Sequence, residues 1–524
     1  MRILLGDSGY HKWKQKNGII SRGWADYKGE IRKEFSFIGD EDDLNKAFWN
    51  FLDEAIGNFG LIVQTDDEVL AAVDNIASFP LYYGIIGEEF VLSDSLSRIK
   101  EALGGALHCE NKDEYYASGF IAGRRTVYNN IFQVQAGQVI CFNKNSKEIS
   151  IHDYYLHVHK CFENQNSTVL CDELKRVVNS VIGRLVKSID GKTIVLFLSG
   201  GYDSKLILTS LKNLNYRNVI CVSLGGYNTK DVAVAEKVAY KLGYKWVRID
   251  VSQKTWREFR KSEDFNRYFT MMSAYSTFPY MQGLAVKKLI DKGIVTKDCV
   301  VITGNSGDAI EGADVTHSFV SGKKYSIDDI KEAIRFKHYT LNGYKKSIEV
   351  IRNIDISDCI GANSSNSIEF SDEECENIFE YFNWRERQCK FVVSDVHNYE
   401  DYLGVDWRLP LWDREFQDFW LGVSYEQRYD RKLYYRFVEA DNLPSANNVS
   451  VRRKIFNRIK SLLGNTTNVL YIPKSLWNYR FSSKYYYCAY GMITFKELLD
   501  ILKTGAGNRE PHMEGIVRIM YRYY

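Results

Sequence analysis

No Cys-x-x-Cys pair occurs in this sequence: its ten cysteines, Cys109, Cys141, Cys161, Cys171, Cys221, Cys299, Cys359, Cys375, Cys389 and Cys488, are scattered. Neither a zinc framework nor a dithiol redox motif is spelled out, and reduced thiols in a cytoplasm are the expectation. No apolar run approaches the ~18 residues that a bilayer-crossing helix needs, and the longest, such as 193–198, has the length of a buried strand. No membrane span is expected. The opening Met1-Arg2-Ile3-Leu4-Leu5-Gly6-Asp7 puts an acid where a secretory signal would have its apolar centre, so secretion is not expected either. A charge excess is missing too: 69 Lys+Arg face 67 Asp+Glu, and a net charge of +2 creates no field that would make nucleic acid the default partner. Proline is scarce, and neither an internal repeat nor a low-complexity tract is present.

What is present is an ordinary globular composition, 45% hydrophobic and 26% charged, over 524 residues. At roughly 150 residues per domain, that length suggests two to four domains. Residues 1–155 alternate apolar and polar positions between turn residues, which predicts strands over 60–64, 68–73, 81–86, 90–93 and 138–142. From 169 to 186 the apolar residues recur at three- and four-residue steps, predicting a helix that feeds a second domain. There the pattern changes to continuous apolar strands (193–198, 219–224, 246–251, 299–303) alternating with helices (205–214, 229–242). The second of these helices has a cap at Asn228 or Thr229 and a stop at Gly243. Strand-helix alternation implies an α/β doubly wound parallel sheet with a ligand site beyond the carboxyl ends of its strands. Beyond about residue 320 the chain reads as helical, with the acid-rich stretch 367–380 expected as a solvated loop or helix face. The segment 445–524 carries 13 Lys+Arg against four Asp+Glu and reads as a solvated basic face or an anion-attracting surface.

The chemistry concentrates in Leu198-Ser199-Gly200-Gly201-Tyr202-Asp203-Ser204, at the end of a buried strand and the opening of a helix. Glycines permit the tight bend, the helix start offers N–H groups to an anion, and the serines add hydroxyls. Asp203 would repel a bare phosphate but suits a magnesium ion bridging phosphates.

This loop resembles the pyrophosphate-binding loop of ATP pyrophosphatases. Three further segments extend the resemblance to the asparagine synthetase family. Thr303-Gly304-Asn305-Ser306-Gly307-Asp308 is similar to its Ser-Gly-Glu-Gly-Ser-Asp. Gly404-Val405-Asp406-Trp407-Arg408-Leu409-Pro410-Leu411-Trp412-Asp413 is similar to its Gly-Val-Glu-Ala-Arg-Val-Pro-Phe-Leu-Asp, and Lys432 with Arg436 matches a Lys-x-x-x-Arg pair. In the first domain, Asp74 to Tyr83 and Gly119 to Phe142 resemble parts of the family's glutaminase domain. The resemblance implies an α+β Ntn-hydrolase-like sheet domain (1–155), an ATP pyrophosphatase (HUP-like) α/β synthetase domain (165–440) and a basic, Tyr-rich extension (441–524). It assigns Ser199, Gly200, Gly201, Asp203 and Ser204 to pyrophosphate and metal, and Leu198, Val222, Thr303 and Gly304 to adenosine. Asp203 and Asp308 become the Mg2+ ligands, and Lys432 stabilises charge as pyrophosphate leaves. ATP and Mg2+ are the implied cofactors, and Asp203, Asp308 and Lys432 the implied catalytic group.

The sequence also departs from the family. Arg2 stands where glutamine-dependent members have their cysteine nucleophile, so a retained structural domain without glutaminase activity is expected. Asn305 replaces a Glu and, as an amide, cannot act as a general base. Lys205 replaces a serine and is expected to face solvent. Arg385, Arg387 and Lys390 fall on one helix, where they either meet a substrate carboxylate or diphosphate or form salt bridges to acids such as Glu400 and Asp401. The expected partners are a small carboxylate, an amine and a separate ammonia source, with a homodimer among the assemblies. The wording of the motifs is similar to amidotransferases of surface polysaccharide, which implies a uronic-acid sugar, sugar nucleotide or glycan precursor as the acid. Ring closure, as in beta-lactam synthetases and lasso peptide cyclases, and an inactive regulatory homologue are the alternatives.

Overall fold

The computed structural model describes residues 1–440 except 8, 42, 105–106, 161–164, 226–229, 273–282, 306, 314, 316–317, 320–321, 342–343, 364–368 and 391–400, together with 493, 495–503 and 518. Most of the basic segment 445–524, the Asn228 or Thr229 cap, Cys161 and Cys488 therefore lie outside the described residues.

The first part of the chain supplies β1 (Arg2–Leu4), β2 (Lys14–Lys16), β3 (Ile19–Tyr27), β4 (Glu30–Arg32), β5 (Ile56–Gln64), β6 (Glu68–Val73), β7 (Tyr82–Ile86), β8 (Glu89–Ser93), β9 (Phe132–Gln133), β10 (Gln138–Asn143) and β11 (Ile149–Asp153). They form two sheets, ordered β1-β8-β7-β9 and β11-β10-β6-β5-β3-β2, with β4 pairing β3. All pairings are antiparallel except β1 with β8. The two-residue period divides the larger sheet between two cores. Leu61, Val63, Leu70, Ala72 and Val139 join Phe48, Phe51 and Leu52 of the helix Leu44–Glu54. Ile62, Ala71, Val73, Ile140 and Phe142 face the other way. There Phe142 stacks on Phe90 of β8 with ring centroids 4.0 Å apart, closing one sheet on the other.

That second core runs without interruption into the rest of the chain. The helix Ser167–Ser188, capped by the Asn166 side chain, leads to β12 (Thr193–Phe197), β13 (Val219–Leu224), β14 (Lys245–Ile249), β15 (Cys299–Ile302) and β16 (Asp406–Arg408). These strands are parallel throughout, in the order β14-β13-β12-β15-β16. The chain builds outward from β12 in one direction and then in the other. The switch point, where such sheets open a crevice, falls between β12 and β15. Gly243 ends the helix Lys230–Leu242 at φ +77°, as its position predicts.

Two expectations fail here. The acid-rich stretch is not solvated: Ser371 opens the helix Asp372–Phe382 with a capping box to Glu374, and Glu376 and Glu380 are buried. Glu380 is satisfied by the buried Arg428 and lies 3.5 Å from His159. Lys205 is only 3% exposed, its ammonium 4.2 Å over the Tyr202 ring, because the helix face it occupies packs inward. Among the described residues no helix is long and apolar enough to cross a membrane.

Candidate functional site

Continuous hydrophobicity buries β12 between β13 and β15, and the chain leaves it through Leu198. The Leu198 N–H donates to the Val222 carbonyl (2.8 Å) and the Ser223 hydroxyl to the Leu198 carbonyl (2.7 Å), so this turn is fixed to β13. Leu198 and Val222 are both buried. The Ser199 N–H donates to Ser204 Oγ (3.1 Å) and the Gly201 N–H to Ser199 Oγ (3.1 Å), folding residues 199–204 into a tight loop. Tyr202 precedes the helix Asp203–Asn213 without capping it through its side chain. Together the helix start and the exposed Ser199 hydroxyl offer donors of the kind that bind anions.

The second loop, after β15, docks on the first. A Cβ at Gly304 would lie 2.8 Å from the Ser204 backbone nitrogen and 3.2 Å from the Asp203 carbonyl carbon. Thr303, 3% exposed, has a buried Oγ1 without a hydrogen-bond partner. Half-buried Asp308 lies in the short helix Gly307–Ile310. The 404–413 motif backs this loop: Trp412 Nε1 donates to the Asn305 carbonyl (3.1 Å), and a Cβ at Gly307 would meet the Leu411 side chain at 2.5 Å.

The last motif joins through neighbours of the expected lysine. Asp203 Oδ1 accepts from Arg431 Nη2 (3.0 Å) and from the hydroxyl of buried Tyr434 (2.8 Å). Arg431 also holds Glu311, which has no exposed surface. Burial pushes the Glu311 carboxyl well above its usual pKa, Asp203 and Asp308 push the same way, and Arg431 opposes them. Both expected metal ligands thus act electrostatically on one buried acid. Lys432 itself is exposed at the first position of the helix Lys432–Glu439, its Nζ 5.8 Å over the Tyr429 ring. Arg431 and Glu311 escaped the sequence reading. The available signals were the Asp430-Arg431-Lys432 run and an acid three residues beyond Asp308, just past the helix Gly307–Ile310.

Two of the other basic candidates, Arg385 and Lys390, are held by the protein's own acids. Arg385 pairs with Asp153 (2.7 Å), and Lys390 with Glu386 (2.7 Å) and the Ile121 carbonyl (2.7 Å). Of the expected acids, Asp401 pairs with Arg22 (3.0 Å), and Glu400 lies outside the described residues. These basic side chains stitch the two parts of the chain together.

Among the described residues no three His, Cys, Asp or Glu side chains gather to hold a metal unaided. Magnesium is commonly held by one or two carboxylates with substrate phosphates completing its shell, and the donor set here suits that arrangement. The orphaned Thr303 hydroxyl and the side-chain-free cradle at Gly304 also suit a polar ligand laid across the two loops.

Comparison with known proteins bears on the family resemblance. Residues 176–336 match the asparagine synthase family. A putative glutamine-hydrolyzing asparagine synthetase of Methanocaldococcus jannaschii is 24% identical over 284 residues, 51% of this chain and 50% of that protein. The microcin J25-processing protein McjC of Escherichia coli is 25% identical over 200 residues, 38% of this chain and 35% of that protein. The chain thus matches half or less of the length of each. An NH3-dependent NAD synthetase of Campylobacter jejuni aligns at 18% identity over 38% of this chain and 83% of its own, with a TM-score of 0.20, so the fold is argued from strand order alone. The resemblance read from the motifs holds: over residues 176–336 this chain is similar to the asparagine synthase family.

Proposed function

We propose that this chain is an ATP- and Mg2+-dependent ligase that forms amide bonds. A substrate carboxylate, a poor electrophile at neutral pH, attacks the α phosphorus of ATP and pyrophosphate departs; an amine then attacks the acyl carbon of the resulting acyl-adenylate, forming the amide and releasing AMP. Residues 199–204 hold the pyrophosphate, Leu198, Val222, Thr303 and Gly304 the adenosine, and Asp203 and Asp308 the cation. The observation that carries this reading is the approach of Gly304 to the Asp203–Ser204 backbone, which brings two loops from opposite sides of the switch point onto one crevice. Magnesium, when bound, would offset the repulsion between these acids and a phosphate chain. Lys432 is assigned to the departing pyrophosphate, which requires its exposed side chain to swing from Tyr429 when nucleotide is present.

For the acid we favour a uronic-acid sugar or glycan precursor, on the wording of the motifs, with ammonia from a separate source. Ring closure within one substrate is the second reading, favoured by the match to a protein named for processing a microcin. The test is pyrophosphate release from ATP and Mg2+ with panels of carboxylated metabolites, sugar nucleotides and peptides. Asp203→Ala and Lys432→Ala are each expected to lower release by more than about tenfold, equivalent to about 1.4 kcal/mol, while Cys109→Ala leaves it intact. Glutamine is expected not to replace ammonia. Product mass separates the readings, because ring closure removes a water whereas amidation exchanges a hydroxyl for an amino group.

A further inference from the structure

Every hydrogen bond described for the Asp203 carboxylate falls on one oxygen. Arg431 Nη2 at 3.0 Å and the Tyr434 hydroxyl at 2.8 Å both donate to Oδ1. Arg431 is not a surface residue that happens to reach an acid. Its side chain is 10% exposed, and the same Nη2 is held from behind by Glu311, whose side chain is fully buried. The backbone is set for this arrangement: Asp430 and Arg431 are consecutive non-glycine residues at φ +54° and +57°. The turn starts the helix at Lys432 while Arg431 turns back into the protein. Only Gly visits this region freely, so the conformation has to be held by tertiary contacts. Glu311 Oε1 and Arg431 Nε are buried without hydrogen-bond partners, so burial at this pair is tolerated without full polar satisfaction.

The geometry points to Arg431, anchored by Glu311, as the positioning residue that holds Asp203 by Oδ1 and so presents Oδ2 to the divalent cation of a bound nucleotide. The inference rests on the ATP reading above and adds two residues to it. A freely rotating aspartate would have to be ordered on each binding event. One clamped by a buried guanidinium and a tyrosine hydroxyl is oriented beforehand, and its ordering cost is met during folding. A lysine at 431 would keep the charge but lose the planar guanidinium that lies 4.5 Å over the Tyr434 ring.

Equilibrium binding of α,β-methylene-ATP to the full chain, measured by calorimetry with Mg2+ and with EDTA, tests this. The analogue resists cleavage between its α and β phosphates, so the readout is independent of turnover. The wild type is expected to bind at least about tenfold more tightly with Mg2+ than without. In Arg431→Met that gain is expected to shrink to about threefold or less with Mg2+-free binding retained, while Arg431→Lys keeps part of it. Because Arg431→Met strands the buried Glu311 carboxylate, the double variant Arg431→Met/Glu311→Gln, checked by thermal melting, provides the folded comparison and is expected to lose the gain as well. A double variant that keeps the full gain, or binds Mg2+-nucleotide more tightly, overturns the positioning role. A wild type that takes up no nucleotide overturns the ATP reading itself, which separates the two failures.

Discussion

Gly304 illustrates how one missing side chain can define a site. Its φ is not in the left-handed region, so the requirement is space: a Cβ would sit 2.8 Å from the Ser204 nitrogen, and backbone cannot swing aside as a flexible side chain can. Gly304→Ala is expected to push the second loop off the helix start and reduce pyrophosphate release at least about tenfold. The melting temperature should move little, because the strands behind the loop keep their packing. Paired assays of release and thermal unfolding check this. The Ser199–Ser204 loop was legible in the sequence because its chemistry is local: glycines, hydroxyls and an acid crowd one strand-helix junction. Arg431, Glu311 and Lys205 were not. Arg431 is turned inward by two positive-φ residues, neither of them Gly or Asn, and no local signal announces that turn. The burial of Lys205 depends on which face of its helix meets the remainder of the molecule.

At the scale of elements, alternation identified β5, β6, β7, β8 and β10, and continuous apolar runs identified β12, β13, β14 and β15 to within a few residues. Besides β11, an alternating five-residue strand that the reading passed over, the missed strands are of two kinds. β1, β2, β4, β9 and β16 have two or three residues each, too few for a period to register. β3 is long, but Ser21, Arg22 and Gly23 interrupt its pattern, and the buried Arg22 is received by Asp401 and Asp94 from distant parts of the chain. The segment after β11 carries a further element-scale consequence. His157 is buried, its ring stacked on Trp384 at 4.9 Å, and burial with the nearby Arg428 lowers its pKa to about 3. The folded state therefore binds fewer protons at this site than the unfolded state between pH 6.5 and about 3. Its contribution to stability is full above pH 6.5 and is lost as the pH falls through that window, with a slope of up to about 1.4 kcal/mol per unit. His157→Phe keeps a ring for Trp384 and removes the titration. Its unfolding free energy is expected to fall less steeply than the wild type's from pH 6.5 to 4, as denaturant titrations at each pH would measure.

At the scale of the whole molecule, the two parts of the chain share one apolar core and a seam of buried ion pairs, and for one of these groups the sequence left substrate contact and salt bridges equally open. A composition scan cannot tell a basic helix that faces a ligand from one that faces another domain, since both place arginine and lysine on an inward face. The partners decide it. Glu386 accepts from the Gly123 N–H (2.6 Å) and Gln135 Nε2 (2.6 Å), residues of the first part of the chain, and pairs with Lys390, which itself donates to the Ile121 carbonyl. Burial disfavours the Glu386 carboxylate, but Lys390 and its other neighbours more than compensate, and its pKa is lowered. Removing one member of such a pair leaves a buried charge uncompensated, at a cost of about 3–5 kcal/mol, whereas replacing both with apolar groups is far less damaging. Glu386→Ala is therefore expected to lower the urea midpoint sharply, and Glu386→Ala/Lys390→Met to recover most of the loss. Because the core is continuous, the wild type should unfold in a single transition by fluorescence and circular dichroism alike. If the seam is what couples the two parts, Glu386→Ala should separate the probes, with the first part of the chain melting apart from the parallel sheet.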